Sequence, residues 1–251
     1  MDNMDWFFMI HNNTKREGPG LDAITIKIWQ SLAGKESLQK GLDVGCGPGA
    51  QTLALASQKE NVHWTAVDNH QPFLDSLTIT AGKMGLEAKI TTVNASMFEL
   101  PFGENEFDII WSEGAIYIMG FENGITAWRN FLKPQGYLVA SEITWLKPKN
   151  DIPEECLNFW TEEYPGIATI EENVAIAEKC AYRVLDTVKL PEAGWWEYYL
   201  PQDVNIERLC REYSGSKALL EVVEMEKKER DMFRKYGHCY GYMFYVLQRK
   251  G

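Results

Sequence analysis

Gly41-Leu-Asp-Val-Gly-Cys-Gly-Pro-Gly-Ala-Gln-Thr-Leu-Ala-Leu-Ala56 is the stretch that organises the rest of the chain. Leu42 to Gly45 is a short apolar run of strand type with one acid, Asp43, embedded in it. From Ala50 onward, Leu53, Leu55 and Ala56 recur at helical spacing. Between the two lie glycines at alternate positions, Gly45, Gly47 and Gly49, which let the backbone turn sharply and approach a ligand closely. A strand, a glycine-rich turn and a helix N-terminus together make a site of nucleotide-cofactor type.

Outward from this stretch the pattern alternates. Val62 to Asp68 reads as a second strand ending in an acid, and Pro72 to Gly85 as a helix with Phe73, Leu74, Leu77 and Met84 inward. Ala88 to Val93, Phe107 to Ser112 and Gly136 to Glu142 read as strands three, four and five. A helix spans about Glu122 to Leu132, and Lys133-Pro-Gln-Gly136 is a helix stop and tight turn. Upstream, residues 21 to 34 form a helix capped at Gly34, and residues 1 to 20 carry Trp6-Phe7-Phe8 and a polar loop ending in Gly18-Pro19-Gly20. That loop is either a plain turn or a flap over the ligand.

Strand and helix alternating with short links predict an α/β fold of Rossmann-like type, with helices on both faces of a mostly parallel sheet. Right-handed crossovers put the C-terminal strand ends on one rim, which collects Gly45 to Gly49, Asp68, Asn94 to Met97 and Ser112 to Ala115. Beyond Lys149 two helical segments lead to a sixth strand, Tyr182 to Leu190, with Trp195 to Tyr199 as its possible extension. Asp203 to Tyr236 is helical in two pieces broken near Ser214-Gly215, an insertion between strands six and seven. Tyr240 to Gln248 is the seventh, closing strand. The expected sheet is thus seven-stranded, in one domain, 1–251, with a flap (1–20), a cofactor-binding core (21–148) and a C-terminal half (149–251).

Composition narrows the partners. With 45% hydrophobic and 24% charged residues the chain is ordinary for a soluble globular protein, and no apolar stretch is long enough to span a bilayer. A cytoplasmic location is expected. The net charge of −11 disfavours nucleic acid as a partner. The 5 cysteines are widely spaced without a C-x-x-C pair, and the 4 histidines are scattered, so neither disulfides nor a metal site is expected.

The glycines leave two cofactors open. Gly45-x-Gly47-x-x-Ala50 satisfies the loose dinucleotide fingerprint, which alone is weak support for an NAD-dependent oxidoreductase. Asp43 stands inside the strand, where such folds usually place an apolar side chain. A carboxylate there either helps to hold a cationic group or is a buried acid satisfying donors of its own loop, and burial requires partners in both cases.

Leu42-Asp-Val-Gly-Cys-Gly-Pro-Gly49 resembles the first motif of the class I S-adenosylmethionine-dependent methyltransferases. Leu100-Pro-Phe102 before Phe107-Asp108, and Phe131-Leu-Lys-Pro-x-Gly136, resemble later segments of that family, in the right order over residues 40 to 145. The likeness is to the small-molecule branch that includes the ubiquinone/menaquinone C-methyltransferases. Trp111-Ser-Glu-Gly-Ala-Ile-Tyr117 and Arg16-Glu-Gly-Pro-Gly20 resemble a subgroup of bacterial methyltransferases. The resemblance implies S-adenosyl-L-methionine as cofactor, held at its methionine end by Asp43, Gly45, Cys46, Gly47 and Gln51. It implies Asp68 on the ribose hydroxyls with Asn69 beside it, and Ser96 and Met97 at the adenine. It also implies Ser112 to Ala115 lining the methionine end and facing the acceptor, and Arg16, Gly18 and Gly20 in a flap. Where the family usually has an acidic or amide side chain at the adenine, this chain has Ser96. A cofactor-binding protein without transfer activity remains an alternative.

The acceptor is expected to be a small molecule. Glu113 is the best-placed acid on the rim for a catalytic or substrate-facing role, with bonding to its own loop as the competing assignment. Trp195, Trp196, Tyr198 and Tyr199, with Trp6-Phe7-Phe8, either wall an acceptor pocket or belong to the core. The helical insertion shapes that pocket or makes a homodimer.

Overall fold

The computed structural model describes residues 1–12 and 14–251. Helix α1 (Asn3–Ile10) starts at a capping box in which the Asp2 and Asp5 side chains bond each other's backbone N–H groups. Helix α2 (Asp22–Ser31) follows. Then come β1 (Lys40–Val44), α3 (Ala50–Ala56), β2 (His63–Asp68), α4 (Gln71–Met84), β3 (Ile90–Asn94) and β4 (Phe107–Ser112). Next are α5 (Phe121–Trp128), β5 (Leu132–Trp145), α6 (Glu154–Glu163) and a two-residue strand, β6 (Ala168–Thr169). The chain closes with α7 (Ile170–Lys179), β7 (Tyr182–Lys189), α8 (Glu192–Glu212), α9 (Lys217–Tyr236) and β8 (Tyr240–Arg249).

The main path of the sheet runs β3-β2-β1-β4-β5-β8-β7, seven strands as expected, and β6 adds an eighth against the end of β5. Strands β1 to β5 pair in parallel, and β8 runs antiparallel to both β5 and β7. The order reverses between β1 and β4, so the switch point lies at the C-terminal ends of these two strands, where such sheets bind ligands.

Both faces of the sheet are covered. Ile109, Trp111, Val139, Phe244 and Val246 point to a core shared with α2, α8 and α9, whereas Ile110, Leu138, Ala140, Tyr245 and Leu247 point to α5 and α7. This alternation of period two is the reason the strands read as nearly continuous apolar runs.

Three sequence expectations are corrected. Trp195 to Tyr199 does not extend a strand but opens α8. Trp195 and Tyr199, four apart, both turn to Phe233, with Trp195 stacked on it at 4.3 Å between ring centroids, and burial outweighs the strand preference of aromatics. Helix α2 ends at Ser31 rather than at Gly34, because Leu32 is extended and buried; Gly34 takes its left-handed turn (φ 67°) just beyond. Strand β3 begins at Ile90, since Glu87–Lys89 forms one 3-10 turn. The helical break near Ser214-Gly215 is where it was expected, and Ser216 caps α9 by accepting from the Leu219 N–H.

Candidate functional site

The turn after β1 is fixed by bonds that its glycines permit. The N–H groups of Gly45 and Cys46 both donate to the carbonyl of Val67 at the end of β2, at 2.9 and 3.0 Å. Gly49 adopts φ 92°, and a Cβ there would lie 2.3 Å from Leu77 Cδ1 of α4. Gly45 has φ 70°, and its Cβ would lie 2.5 Å from that of Ala115. The chain therefore holds an open cradle, walled on one side by the loop after β4, that a side chain at either position would fill or distort.

Asp68 ties β2 to this cradle. One carboxylate oxygen accepts from the Gly47 N–H and the other from the His70 N–H, both at 2.9 Å. Asp43 lies beneath the turn, fully buried, and accepts from the Thr52 hydroxyl and from Gln51 Nε2. Burial pushes its carboxyl up from 3.8 to about 7, against the pull of those two hydrogen bonds. Burial and the nearby carboxylates of Asp43 and Asp68 likewise push the Cys46 thiol well above its ordinary range.

These elements enclose a cavity of about 300 Å³. Arg16, Gly18, Gly45, Cys46, Gly47, Gln51, Asp68, Asn69, Ser96 and Met97 all line it, as does Glu113. Gly20, Asp43 and Ser112 stand behind the wall. The Ser112 hydroxyl donates to the Val44 carbonyl, joining β4 to β1, and a Cβ on Gly20 would press to 2.7 Å from Arg16 Nη1. Ser96 Oγ accepts from the Phe98 N–H at 3.2 Å, and the Met97 carbonyl accepts from Trp128 Nε1 at 3.3 Å.

Glu113 is held by three donors. Arg16 Nη1 bonds one oxygen at 2.9 Å; the Thr25 hydroxyl and Trp111 Nε1 bond the other at 2.6 and 2.8 Å. Arg16 is 6% exposed and also reaches Asp22 at 2.6 Å. The segment Thr14 to Gly20 is thus bolted to the loop after β4 by a buried ion pair.

A second fastening involves His11, which is 2% exposed. Its Nδ1 lies 3.2 Å from Glu17 and its Nε2 3.3 Å from Glu226 of α9. Burial alone would lower this imidazole, but the two carboxylates outweigh it and raise its pKa from 6.5 to about 9. Because the folded value exceeds the unfolded one, this contribution is complete below pH 6.5 and lost as pH rises through about 9. Amide exchange in residues 3–12 and 14–20 is therefore expected to accelerate between pH 8 and 10 beyond its intrinsic base dependence, and His11→Gln is expected to abolish the excess; equal profiles for both proteins would refute this latch.

Sequence reading did not single out Pro48, Val67, Phe98 and Ile118, which also line the cavity. Phe8 stacks on His70 (4.7 Å, 6° between planes), with Phe73 edge-on to that imidazole at 4.5 Å, making an aromatic corner beside Asp68. The run Trp6-Phe7-Phe8 is in fact split. Trp6 packs in the core against α8 and α9, Phe8 lines this cavity, and Phe7 faces a neighbouring one.

The neighbouring cavity, of about 390 Å³, shares Glu17, Gly18, Pro19, Gly114 and Tyr117 with the first. Trp195 and Tyr198 line it, whereas Tyr199 is fully buried and Trp196 packs at the core edge, so the aromatic run of α8 divides between pocket and core.

A sheet of this order with a glycine cradle and an acid at the end of β2 defines the fold of the class I S-adenosylmethionine-dependent methyltransferases. Residues 42–136 match the family model described as a methyltransferase domain. Over 181 residues the chain is 26% identical to a sterol 24-C-methyltransferase of Pneumocystis carinii, covering 68% of this chain and 48% of the relative. The chain spans about half the length of the sterol methyltransferases it matches. The crystal structure of YjhP from E. coli superposes with a TM-score of 0.83 at 18% identity, covering 98% of this chain and 99% of that one. A methyltransferase from Geobacter sulfurreducens, solved with S-adenosyl-L-homocysteine, superposes with a TM-score of 0.80 at 17% identity, covering 98% of each chain.

Proposed function

We propose that the protein is an S-adenosylmethionine-dependent methyltransferase acting on a small molecule. The observation that carries this reading is Asp68, whose carboxylate lines the 300 Å³ cavity while bonding the Gly47 N–H of the cradle beside it. An acid fixed at that point, next to open backbone, suits a ribose and its attached chain. The residues present fit the cofactor. The cradle gives close backbone approach, Asp68 and Asn69 would hold the ribose, and Ser96 and Met97 with Phe73 would wall the adenine. When bound, the cofactor supplies a sulfonium methyl group with a good leaving group.

The protein's own part is alignment and exclusion of water, which can lower a barrier by roughly 7–11 kcal/mol without a dedicated base. In this reading Glu113 is a positioning residue. It already takes three donors, and through Arg16 it holds the flap over the cavity. The names of relatives that methylate sterols support a small-molecule acceptor.

Calorimetry with S-adenosylmethionine, S-adenosylhomocysteine and NAD tests the proposal. Both sulfur nucleotides are expected to bind and NAD is not; tight NAD binding with no response to the others would overturn it. The pH dependence adds a sign. Asp43 sits at about 7 in the unliganded fold, so its ionisation costs fold stability as pH climbs from about 4 through 7. A cation above the turn favours the ionised form. Through the α-ammonium of their amino-acid end, the affinity of either nucleotide is therefore expected to rise up to roughly tenfold per pH unit below 7. Asp43→Asn is expected to flatten this profile, and a flat wild-type profile would remove Asp43 from the site's electrostatics.

A further inference from the structure

Resting on the methyltransferase reading, we infer that the second cavity receives the acceptor as an organic cation, a primary or secondary amine on an apolar body. Its body is aromatic: Phe159 and Trp160 of α6, Trp195 and Tyr198 of α8, and Tyr242 of β8 supply ring surface. Ring faces attract a cation within about 6 Å of their centres, most strongly where water is excluded. The wall already does this once, since Lys228 Nζ stands 5.2 Å from the centre of the Phe159 ring.

The charges in the cavity have one dominant sign. Glu17, Glu163, Glu226 and Glu229 face it, against the single ammonium of Lys228. The His11 imidazolium accounts for Glu17 and Glu226. Glu163 and Glu229 form no ion pair with any described residue, and Glu229 accepts only the Tyr199 hydroxyl, at 2.8 Å. Glu163 is exposed, but Glu229 is largely enclosed; such a carboxylate without a cationic partner is costly, and a ligand that brings the charge relieves that cost.

An independent feature points the same way. Tyr242 is 9% exposed, lies on the face of β8 that looks into the cavity, and its hydroxyl has no hydrogen-bond partner among the described residues. That hydroxyl is open to the cavity rather than sealed in the core, so a ligand can become its partner. Its lone pairs can accept an N–H of an ammonium group. Gly18, Pro19, Gly114 and Tyr117 are shared with the first cavity, so a ligand here lies next to the methyl donor. Transfer to such an amine forms one C–N bond as the C–S bond of the sulfonium breaks, its electron pair staying on sulfur. The bound ammonium favours the ionised form of Glu229, and the proton that the ammonium must first give up passes to that carboxylate, whose proton affinity burial raises.

The test is calorimetry on the full chain saturated with S-adenosylhomocysteine. The probes are benzylamine, 2-phenylethylamine and tryptamine, each paired with the alcohol that replaces its amino group. At least one amine is expected to bind about tenfold tighter than its alcohol. Glu229→Gln is expected to cut that preference roughly fivefold while S-adenosylhomocysteine affinity stays within about twofold. Because Glu229 holds Tyr199, a second variant guards against misfolding. Tyr242→Phe removes a hydroxyl with no protein partner, so thermal stability should hold while amine affinity falls about threefold. No amine preference in any of the three pairs, or a preference untouched by both variants, overturns the inference. In that case intact S-adenosylhomocysteine binding leaves the methyltransferase reading standing. Failure of the wild type to bind S-adenosylhomocysteine overturns that reading and the acceptor role together.

Discussion

Replacing Asp68 by alanine is expected to weaken S-adenosylhomocysteine binding by at least tenfold, about 1.4 kcal/mol. Two effects add. The variant loses a charged acceptor for the ribose, and it releases the Gly47 and His70 N–H groups that the carboxylate now holds at 2.9 Å each. Hydrogen bonds to a charged group each contribute about 1.5–3 kcal/mol, so a hundredfold loss is within reach. Asp68→Asn separates the contributions. An amide keeps an oxygen for one backbone N–H but cannot accept from both sides. Its affinity is expected to fall between those of the wild type and Asp68→Ala. Titration by calorimetry, with thermal unfolding in parallel, reads both effects, and unchanged affinity in Asp68→Ala would mean that the ribose site is elsewhere.

The largest stability effect is expected at Glu113. Removing one member of a buried ion pair typically costs about 3–5 kcal/mol, because the other charge is left without compensation. Here Glu113→Ala leaves the 6% exposed Arg16 with Asp22 alone, strands Trp111 Nε1, and leaves the Thr25 hydroxyl only its longer bond to the Leu21 carbonyl. Denaturant unfolding is expected to show the full loss, and proteolysis is expected to cut the segment before α2 first. Glu113→Gln combined with Arg16→Met removes both charges while nearly keeping volume and keeping one oxygen that can accept from both Thr25 and Trp111. The pair is expected to recover much of what the single variant loses. If Glu113→Ala unfolds like the wild type, the bolt between flap and β4 loop contributes little.

The sheet and its rim were legible in the sequence because period-two burial and glycine spacing are local signals. Gly45, Gly47 and Gly49 announce the turn, and Asp68 is recognisable as the acid closing an apolar strand. The fate of Trp195 to Tyr199 was not legible. A run of aromatics favours a strand locally, and only the distant Phe233 and Tyr240 decide for a helix. The fastenings were hidden for the same reason. Arg16 meets Glu113 97 residues away, and His11 meets Glu226 215 residues away. Charge pairs at such separation leave no periodicity to read. Their consequence is visible in the two cavities, since the aromatic pocket exists only once α1, α6, α8, α9 and β8 have come together.

Glu17, Gly18 and Pro19 belong to the walls of both cavities. One short strip of chain is therefore a partition between two chambers, and neither can widen on that side without altering the other. Loading and emptying become a matter of sequence in time. On the proposed reading, the ligand that entered first would set the shape of the doorway for the second, and release of the spent donor would be coupled to that of the methylated product. A partition fastened by one guanidinium and one imidazolium would then act as a single gate rather than two separate doors.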